Sequence, residues 1–228
     1  LSVEICPSLI ALLPRASRRQ QHQIIQLLAQ FNTAAVVATL AKYLDHEDEA
    51  LRCAVVHSFA KILGDLSLGR LSKLLQKRGP DQAAALVATL RFGGVRGMKI
   101  GMPILNAMAT DPVFERRHQA CMVLEQVAMS SLYRPVQRLL DDENIEVQRA
   151  AITAAGAMRC PNLLPALLAK LQPTATRRSA TAALANYGES MVDKIAAAMH
   201  DDENLPDARS AIPIILARIA VPSCLGHL

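Results

Sequence analysis

Apolar and polar positions along the chain follow a frame that returns about every 31 residues. The clearest copy covers residues 51–60, where Arg52 is followed by apolar or small residues three and six positions further on. The anchor position of this frame holds Arg or Gln throughout, at Gln21, Arg52, Gln82, Arg117, Gln148, Arg177 and Arg209. Spacings of three and six residues lie on one face of an α-helix. The pattern therefore predicts an amphipathic helix at every anchor, the second helix of each repeat.

Another amphipathic run precedes each anchor and predicts a first helix in the repeat. These runs include residues 34–44, 66–75, 100–108, 133–140, 163–171 and 191–199. Between the two helices lie short polar segments, among them 45–48, 141–144 and 201–204, which are rich in Asp and Asn. Such side chains accept hydrogen bonds from the free N–H groups at a helix start and suit its positive dipole end. We interpret the acidic segments as helix caps rather than as metal sites.

A helical hairpin of this length cannot bury its apolar face alone, whereas stacked hairpins share a continuous core. We therefore predict an all-α fold, a right-handed α-solenoid of about seven two-helix repeats, with residues 1–228 forming a single repeat domain. The interval from Gln82 to Arg117 is longer, at 35 residues. Four glycines within residues 91–101 disfavour a helix there, so we expect a longer, flexible turn between repeats. No Gly-Lys-Ser/Thr follows them, so a phosphate-binding loop is not indicated.

The residues at the helix starts resemble HEAT repeats, especially the short bacterial kind. Asp before the second helix, Val or Leu followed by Arg at its start, and Ala-x-x-Ala-Leu-Gly after it are typical of that family, and residues 139–151 follow this pattern most fully. Gln replaces Arg at three of the seven anchors. The resemblance implies that each anchor Arg bonds to an Asp of the neighbouring repeat and has a structural role. The matching residues are Arg52, Arg117, Arg177 and Arg209 with Asp45, Asp111, Asp142 and Asp202.

Residues 163–219 are also similar to the HEAT segments of large bacterial membrane proteins that carry an ATP/ADP-antiporter-like or major-facilitator-like transport domain. The phrase Ile-Pro-x-Ile-Leu-x-Arg-Ile at 212–219 belongs to this resemblance. The first helix and residues 222–228 lack the polar cover expected of terminal repeats. We therefore expect a fragment of a longer protein, cytoplasmic and held at the inner face of the membrane by a domain outside this sequence.

The formal charge of +5 lies in the first half of the chain, where residues 1–114 hold 13 Lys and Arg against 8 Asp and Glu. Seven cations there form a candidate binding patch, namely Arg70, Lys73, Lys77, Arg78, Arg91, Arg96 and Lys99. Such a cluster suits an acidic protein, anionic lipid or nucleic acid, although an ordinary solvated helix surface is the simpler interpretation. Nucleic acid is disfavoured because Phe92 alone offers an aromatic face among these charges.

The second helices of such arrays usually line the concave surface. Polar positions predicted to be exposed there are Gln23, Gln26, Gln30, His57, Lys61, Gln119, Gln126, Asn186 and Arg218. A polar, amide-rich groove suits a peptide or protein partner.

The sequence carries no recognisable catalytic motif. The five cysteines include no C-x-x-C pair and no short spacing to a histidine, so we interpret each as a small core residue in a reducing compartment. His-Glu-x-x-His and Gly-x-Ser-x-Gly are absent, and no apolar stretch is long enough to span a bilayer. We expect no enzyme activity, no cofactor and no small-molecule substrate.

These observations favour a non-catalytic protein-interaction scaffold or regulatory module, the cytoplasmic HEAT region of a transporter-like protein, with partners that include domains of its parent chain. Two alternatives stay open. One is a soluble adaptor whose basic face binds an acidic protein, anionic lipid or nucleic acid. The other is a HEAT-like enzyme of the bilin lyase or DNA glycosylase type, although either would present aromatic and acidic side chains in its groove, and this sequence has no Trp.

Overall fold

The computed structural model of the chain describes residues 3–197 and 206–219. Within those two ranges it contains fourteen α-helices and no strand. In chain order they are α1 (Cys6–Leu12), α2 (Arg18–Leu28), α3 (Ala34–Tyr43), α4 (Glu49–Leu63), α5 (Leu68–Leu75), α6 (Pro80–Phe92), α7 (Gly94–Ala109), α8 (Phe114–Val127), α9 (Tyr133–Leu140), α10 (Ile145–Met158), α11 (Leu164–Ala169), α12 (Thr174–Ala185), α13 (Val192–Ala197) and α14 (Pro206–Ile219).

The helices alternate as first and second members of helix pairs, as the frame predicts. Every anchor lies in an even-numbered helix, from Gln21 in α2 to Arg209 in α14. The predicted first helix at 133–140 coincides with α9. The predicted all-α repeat fold is therefore confirmed, whereas the right-handed sense of the superhelix stays a prediction.

By its internal packing the chain divides into two compact units, residues 1–105 and 106–228. In the first unit α4 packs against both α2 and α6, and α3 and α5 pack on α4 and α6 respectively. In the second unit α10 packs against both α8 and α12, and α12 also contacts α14. Each unit is thus a stack of second helices with first helices on its side. That residues 1–228 form a single domain stays a prediction.

Small residues at the frame positions let neighbouring second helices approach closely. Ala151 and Ala154, three and six residues after the anchor of α10, are fully buried. Gly156 lies on the same helix against α12, where an added Cβ would come within 2.8 Å of the Cα of Ala183. Close packing of this kind leaves no room for an extra methyl group.

Two of the polar segments cap second helices, as predicted. The Asp48 carboxylate accepts a hydrogen bond from the Leu51 N–H at 3.0 Å at the start of α4. The Asn144 side chain accepts hydrogen bonds from the N–H groups of Glu146 and Val147 at the start of α10. These bonds satisfy donors that have no partner inside the helix. The predicted cap at 201–204 and the predicted open end at 222–228 lie outside the described residues.

The expectation of a long, flexible turn at residues 91–101 is wrong. Helix α6 ends at Phe92 and α7 begins at Gly94, so that Gly93 alone connects them. The φ of Gly94 is 56°, a left-handed value that favours glycine. Most of the interval that seemed to be an inter-repeat turn therefore belongs to the 16-residue helix α7.

The other glycines of this segment serve close packing inside the first unit. An added Cβ at Gly97 would overlap the carbonyl oxygen of Thr89 on α6, and one at Gly101 would lie 2.7 Å from the Cδ2 of Leu90. The start of α7 therefore lies against α6 at backbone distance. Glycine lowers helix propensity, but the packing against α6 overrides that local preference.

No helix within the described residues has the length and apolar character needed to cross a bilayer.

Candidate functional site

Arg117 on α8 connects two successive repeats. Its Nη1 donates to the carbonyl oxygens of Asp111 and Pro112, at 2.9 and 3.0 Å, in the turn before its own helix. Its Nε and Nη2 donate to the two carboxylate oxygens of Asp142, at 2.7 and 2.9 Å, in the next repeat. The outer carboxylate of Glu143 adds a contact of 3.1 Å.

Asp142 is buried in this contact, as is Arg117. The Asp142 side chain is 6% exposed and also accepts a hydrogen bond from the Asn144 N–H at 2.9 Å. Burial alone would raise the pKa of Asp142, but the hydrogen bonds from Arg117 and Asn144 outweigh it and leave the pKa below its ordinary value. The carboxylate is therefore ionised and structural. The structure thus brings Arg117 together with Asp142 of the next repeat, a contact of the kind that the resemblance implies.

Arg52 has an equivalent role in the first unit, but with another carboxylate than the resemblance implied. Its Nη1 donates to the carbonyl oxygens of His46 and Glu47, both at 2.8 Å, and its Nε donates to Asp81 at 3.0 Å. Asp81 lies in the first turn of α6. The segment before that helix, residues 76–79, contains no Asp that could take its place. The assignment of Asp45 to the ladder is corrected, since Arg52 binds Asp81.

Asp111 is a second correction to the ladder. Its carboxylate accepts a hydrogen bond from the Val113 N–H at 2.9 Å and lies 3.9 Å from the Nε of Arg116, so it orders the start of its own repeat.

The last two arginine anchors lie in α12 and α14. Arg177 donates to the carbonyl oxygens of Leu171 and Gln172, both at 2.9 Å. Arg209 is half-buried on α14, and Asp202 lies outside the described residues.

The three glutamine anchors bind backbone carbonyls before their helices, as arginine anchors do. Gln82 Nε2 donates to the Leu75 carbonyl at 2.7 Å, and Gln148 Nε2 donates to the Asp142 carbonyl at 2.6 Å. Gln21 Nε2 donates to the Leu13 carbonyl at 3.1 Å. An amide therefore holds the preceding turn as arginine does, but it carries no charge with which to bind a carboxylate.

The seven cations of the predicted patch all lie on the first unit and are all exposed. They do not form one surface feature. Three of them, Arg70, Lys73 and Lys77, line a cavity of about 290 Å³ beside α5. We call it the α5 cavity, and its complete lining is Ala41, Leu44, Asp45, Gly69, Arg70, Lys73, Leu74 and Lys77.

The remaining cations lie elsewhere on the first unit. Arg91 is at the end of α6, 5.7 Å above the ring of Phe92. Arg96 Nη1 is 3.8 Å from the carboxylate of Asp65, with both side chains largely exposed. Arg78 follows α5 and Lys99 lies on α7, outside the cavity lining.

The polar positions predicted for the second helices lie on those helices or at their ends. In the first unit Gln23, Gln26, Gln30 and Lys61 are exposed and His57 is half-buried. In the second unit Gln126, Asn186 and Arg218 are exposed, and the half-buried Gln119 accepts a hydrogen bond from Arg116 at 2.9 Å. Because the two sets belong to different units, we treat the first-unit set alone as a candidate surface.

Two positions of that surface, Gln30 and Lys61, recur with the period of the repeat together with Arg91 of the basic patch. Each lies nine residues after an anchor: Gln30 two residues after the end of α2, Lys61 in the last turn of α4 and Arg91 in the last turn of α6. Since α4 packs against both of its neighbours, their equal frame position is expected to place these exposed residues in a row at corresponding ends of three successive second helices. We call it the second-helix row.

His57 borders the second-helix row. Its ring meets that of Phe92 edge to face at 5.0 Å between centroids. Burial, and then the charges of Arg91 and Lys61, lower the pKa of His57. The ring is therefore neutral at pH 7 and adds an aromatic, uncharged contact beside the cationic row.

Comparison with known families matches the description "HEAT repeats" to residues 6–91 and 102–185, which is most of the chain. The chain belongs to the HEAT-repeat family. No curated protein matches the sequence.

Several solved structures are similar to this HEAT-repeat chain. Human deoxyhypusine hydroxylase, in complex with glycerol, is 16% identical, with 98% of this chain and 88% of that chain covered and a TM-score of 0.46. One engineered protein is 19% identical over 96% of this chain and 69% of that one, with a TM-score of 0.41. Another is 18% identical over 80% and 96%, with a TM-score of 0.40. Identities and TM-scores this low carry no information on activity.

Of the cysteines that the structure describes, Cys6, Cys121 and Cys160 are buried and Cys53 is half-buried, whereas Cys224 lies outside the described residues. Cys121 is buried at the junction of α8 and α10, with its Sγ 3.7 Å from the Val147 carbonyl. Burial raises the pKa of Cys121 to about 12, and burial also raises the pKa of the half-buried Cys53. Neither thiol is activated as a nucleophile, because the thiolate is the reactive form. Among the described residues, no three His, Cys, Asp or Glu side chains are grouped closely enough to share a metal ion.

Asp81 and the α5 cavity were both missed by sequence reasoning. Asp142 lies six residues before its anchor, Gln148, whereas Asp81 lies one residue before Gln82. A search at one fixed frame position therefore finds the first carboxylate and not the second. A sequence signal for the cavity is the spacing of Arg70 and Lys73, which places both on one face of α5, with Lys77 following the end of that helix.

Proposed function

We propose that this HEAT-repeat chain is a non-catalytic scaffold that binds a protein partner through the second-helix row of its first unit. The carrying observation is that Gln30, Lys61 and Arg91 occupy the same frame position, nine residues after the anchors of three second helices that pack in succession. Positions three and six residues after each anchor serve packing, so this recurrent position is available for a partner. The absence of a catalytic motif from the sequence supports the non-catalytic part of the proposal.

The chemistry of the row favours a partner segment with carboxylates and backbone or amide groups. Lys61 and Arg91 supply positive charge, and Gln30 both donates and accepts hydrogen bonds. The Phe92 ring, held between Arg91 and His57, offers an apolar contact beside these charges. A surface that combines Arg, aromatic and amide groups is typical of protein interfaces.

The test is affinity capture with a charge-reversed row. Lys61→Glu combined with Arg91→Glu changes the row, and Arg19→Glu combined with Lys42→Glu makes the same change of charge at exposed positions outside it. A partner that the unaltered chain and the second pair retain, and that the first pair loses at least about tenfold, supports the proposal. Equal retention by both pairs, or equal loss, contradicts it. Unfolding temperatures of the two pairs verify that both fold.

The transporter-like context and the cytoplasmic location stay proposals that rest on the resemblance of residues 163–219. The direct measurement is the size and membrane partitioning of the native protein that contains this sequence. A large product that needs detergent for extraction supports this context, and a small product in the aqueous fraction contradicts it.

A further inference from the structure

We propose that the α5 cavity binds the phosphate group of a small ligand. The cavity lies on the first helices, between the end of α3 and the length of α5, and does not include the second-helix row. Its volume of about 290 Å³ is close to the lower end of the range of small-molecule sites, roughly 300 Å³. This inference therefore goes beyond the proposed scaffold function and is tested separately from it.

The charge of the cavity wall selects an anion. Arg70 and Lys73 are three residues apart on α5 and therefore lie on the same helix face, and Lys77, two residues after the end of α5, lines the same cavity. Lys77 Nζ is also 3.6 Å from the carboxylate of Asp81, whose side chain is largely enclosed, while the Lys77 side chain itself is 52% exposed and its ammonium group stays accessible. Arg offers two parallel donors to a phosphate, and Lys offers a compact positive charge.

One acidic residue faces these cations across the cavity. Asp45 follows α3 and is exposed at the wall opposite α5. Three cations line the cavity against this single carboxylate, and the Asp81 carboxylate beside Lys77 is also bound by Arg52, so the wall keeps a positive excess that suits a phosphate group. The Asp45 carboxylate weakens the binding of any anion by repulsion. Removal of its charge should therefore strengthen anion binding at the cavity.

Gly69 leaves the space that a ligand would occupy. It lies one residue before Arg70 in α5, and an added Cβ meets no atom within 4 Å. A side chain there would extend into the cavity without changing any charge. The lining thus combines a cationic helix face with a missing side chain, whereas Arg78 and Lys99 are exposed cations outside the cavity.

The experiment is a calorimetric titration of the whole chain with inorganic phosphate and with pyrophosphate at low ionic strength, where screening is weak. Three variants change the cavity, Lys73→Gln by charge, Gly69→Leu by volume and Asp45→Asn by removal of repulsion. Arg78→Gln is the matched control, because it removes the same unit charge from the adjacent turn outside the lining. Arg70→Gln gives a second charge variant at an exposed position.

We expect pyrophosphate to bind the unaltered chain and to bind Lys73→Gln and Arg70→Gln about tenfold more weakly, the loss that one charged hydrogen bond implies. Gly69→Leu abolishes binding, Asp45→Asn strengthens it, and Arg78→Gln leaves it within about twofold. The proposal is overturned if the unaltered chain binds neither anion. It is also overturned if Arg78→Gln weakens binding as much as Lys73→Gln while Gly69→Leu retains it, because the charge would then act as a diffuse surface. Variants of the second-helix row leave these affinities unchanged.

Discussion

The guanidinium of Arg117 and the carboxylate of Asp142 are joined by two hydrogen bonds, from Nε at 2.7 Å and from Nη2 at 2.9 Å. Paired donors and paired acceptors of this kind form the strongest charged contact that side chains make. The remaining nitrogen, Nη1, holds the turn carbonyls of Asp111 and Pro112. One side chain therefore fixes the turn of its own repeat and the start of the next.

We expect Arg117→Ala to lower the free energy of unfolding by about 3 kcal/mol, because it leaves the carboxylate of Asp142 in an enclosed position without its cation. Chemical denaturation followed by circular dichroism measures this loss. Arg178→Ala removes an exposed arginine from the same unit and serves as control, with an expected change within about 0.5 kcal/mol. Equal midpoints for the two variants would show that the contact does not stabilise the stack.

The stability that Asp142 contributes is expected to depend on pH with a definite sign. Its pKa is lowered in the folded state, so the stabilisation is fully present above the unfolded value of about 3.9 and is lost as the pH falls through the lower folded value. The difference in unfolding free energy between the unaltered chain and Asp142→Asn should therefore shrink below about pH 4.

Denaturation series from pH 7 to pH 2 measure that difference. Glu125→Gln changes an exposed carboxylate on α8 and should show no comparable trend. A difference for Asp142→Asn that stays constant across the series would mean that the carboxylate is not stabilised in its charged form.

Much of the fold could be predicted from the sequence, because the pattern of apolar residues and the packing of the helix pairs repeat at the same interval of about 31 residues. The anchors predicted every second helix, and residues such as Ala151 and Ala154 are buried where the frame places them. The frame could not predict which carboxylate Arg52 binds, because Asp81 lies inside α6 rather than in the turn before it. A side chain reaches several positions of the next repeat, and spacing alone does not choose among them.

The glycines of residues 91–101 misled the sequence analysis for a physical reason. Glycine is unfavourable in an isolated helix, and four of them in one segment indicate a turn. In the fold, Gly97 and Gly101 allow α7 to approach α6, and that packing outweighs the lost propensity. The α5 cavity was missed for a related reason: the spacing of Arg70 and Lys73 indicates a cationic helix face, but Gly69 gives no sequence signal of the empty space beside it.

Substitution of glycine by alanine should change the free energy of unfolding in opposite directions at Gly156 and at Gly69. Gly156→Ala should lower the free energy of unfolding by about 2 kcal/mol, because its Cβ would come within 2.8 Å of Ala183. Gly69→Ala should raise it, by up to about 1 kcal/mol, because an open helical site gains propensity without a clash. Thermal unfolding of both variants measures the signs. Destabilisation by Gly69→Ala, or none by Gly156→Ala, would contradict the packing described here.

The thiol of Cys121 reports on the contact between α8 and α10. With its pKa raised to about 12 by burial, about one molecule in ten thousand carries the thiolate at pH 8. In the folded chain, iodoacetamide should therefore modify Cys121 at least about tenfold more slowly than it modifies the half-buried Cys53. In denaturant the two thiols should react at equal rates. Mass spectrometry of the labelled peptides gives both rates.

Arg117→Ala should accelerate the labelling of Cys121 and leave that of Cys53 unchanged. The reason is that Cys121 lies against Val147, just after the Asp142 turn that Arg117 holds, whereas Cys53 belongs to the other unit. Local opening of the contact between these repeats would expose the thiol before the whole chain unfolds. Equal acceleration at both cysteines would indicate global unfolding instead, and the Arg117 contact would then have no local effect on this junction.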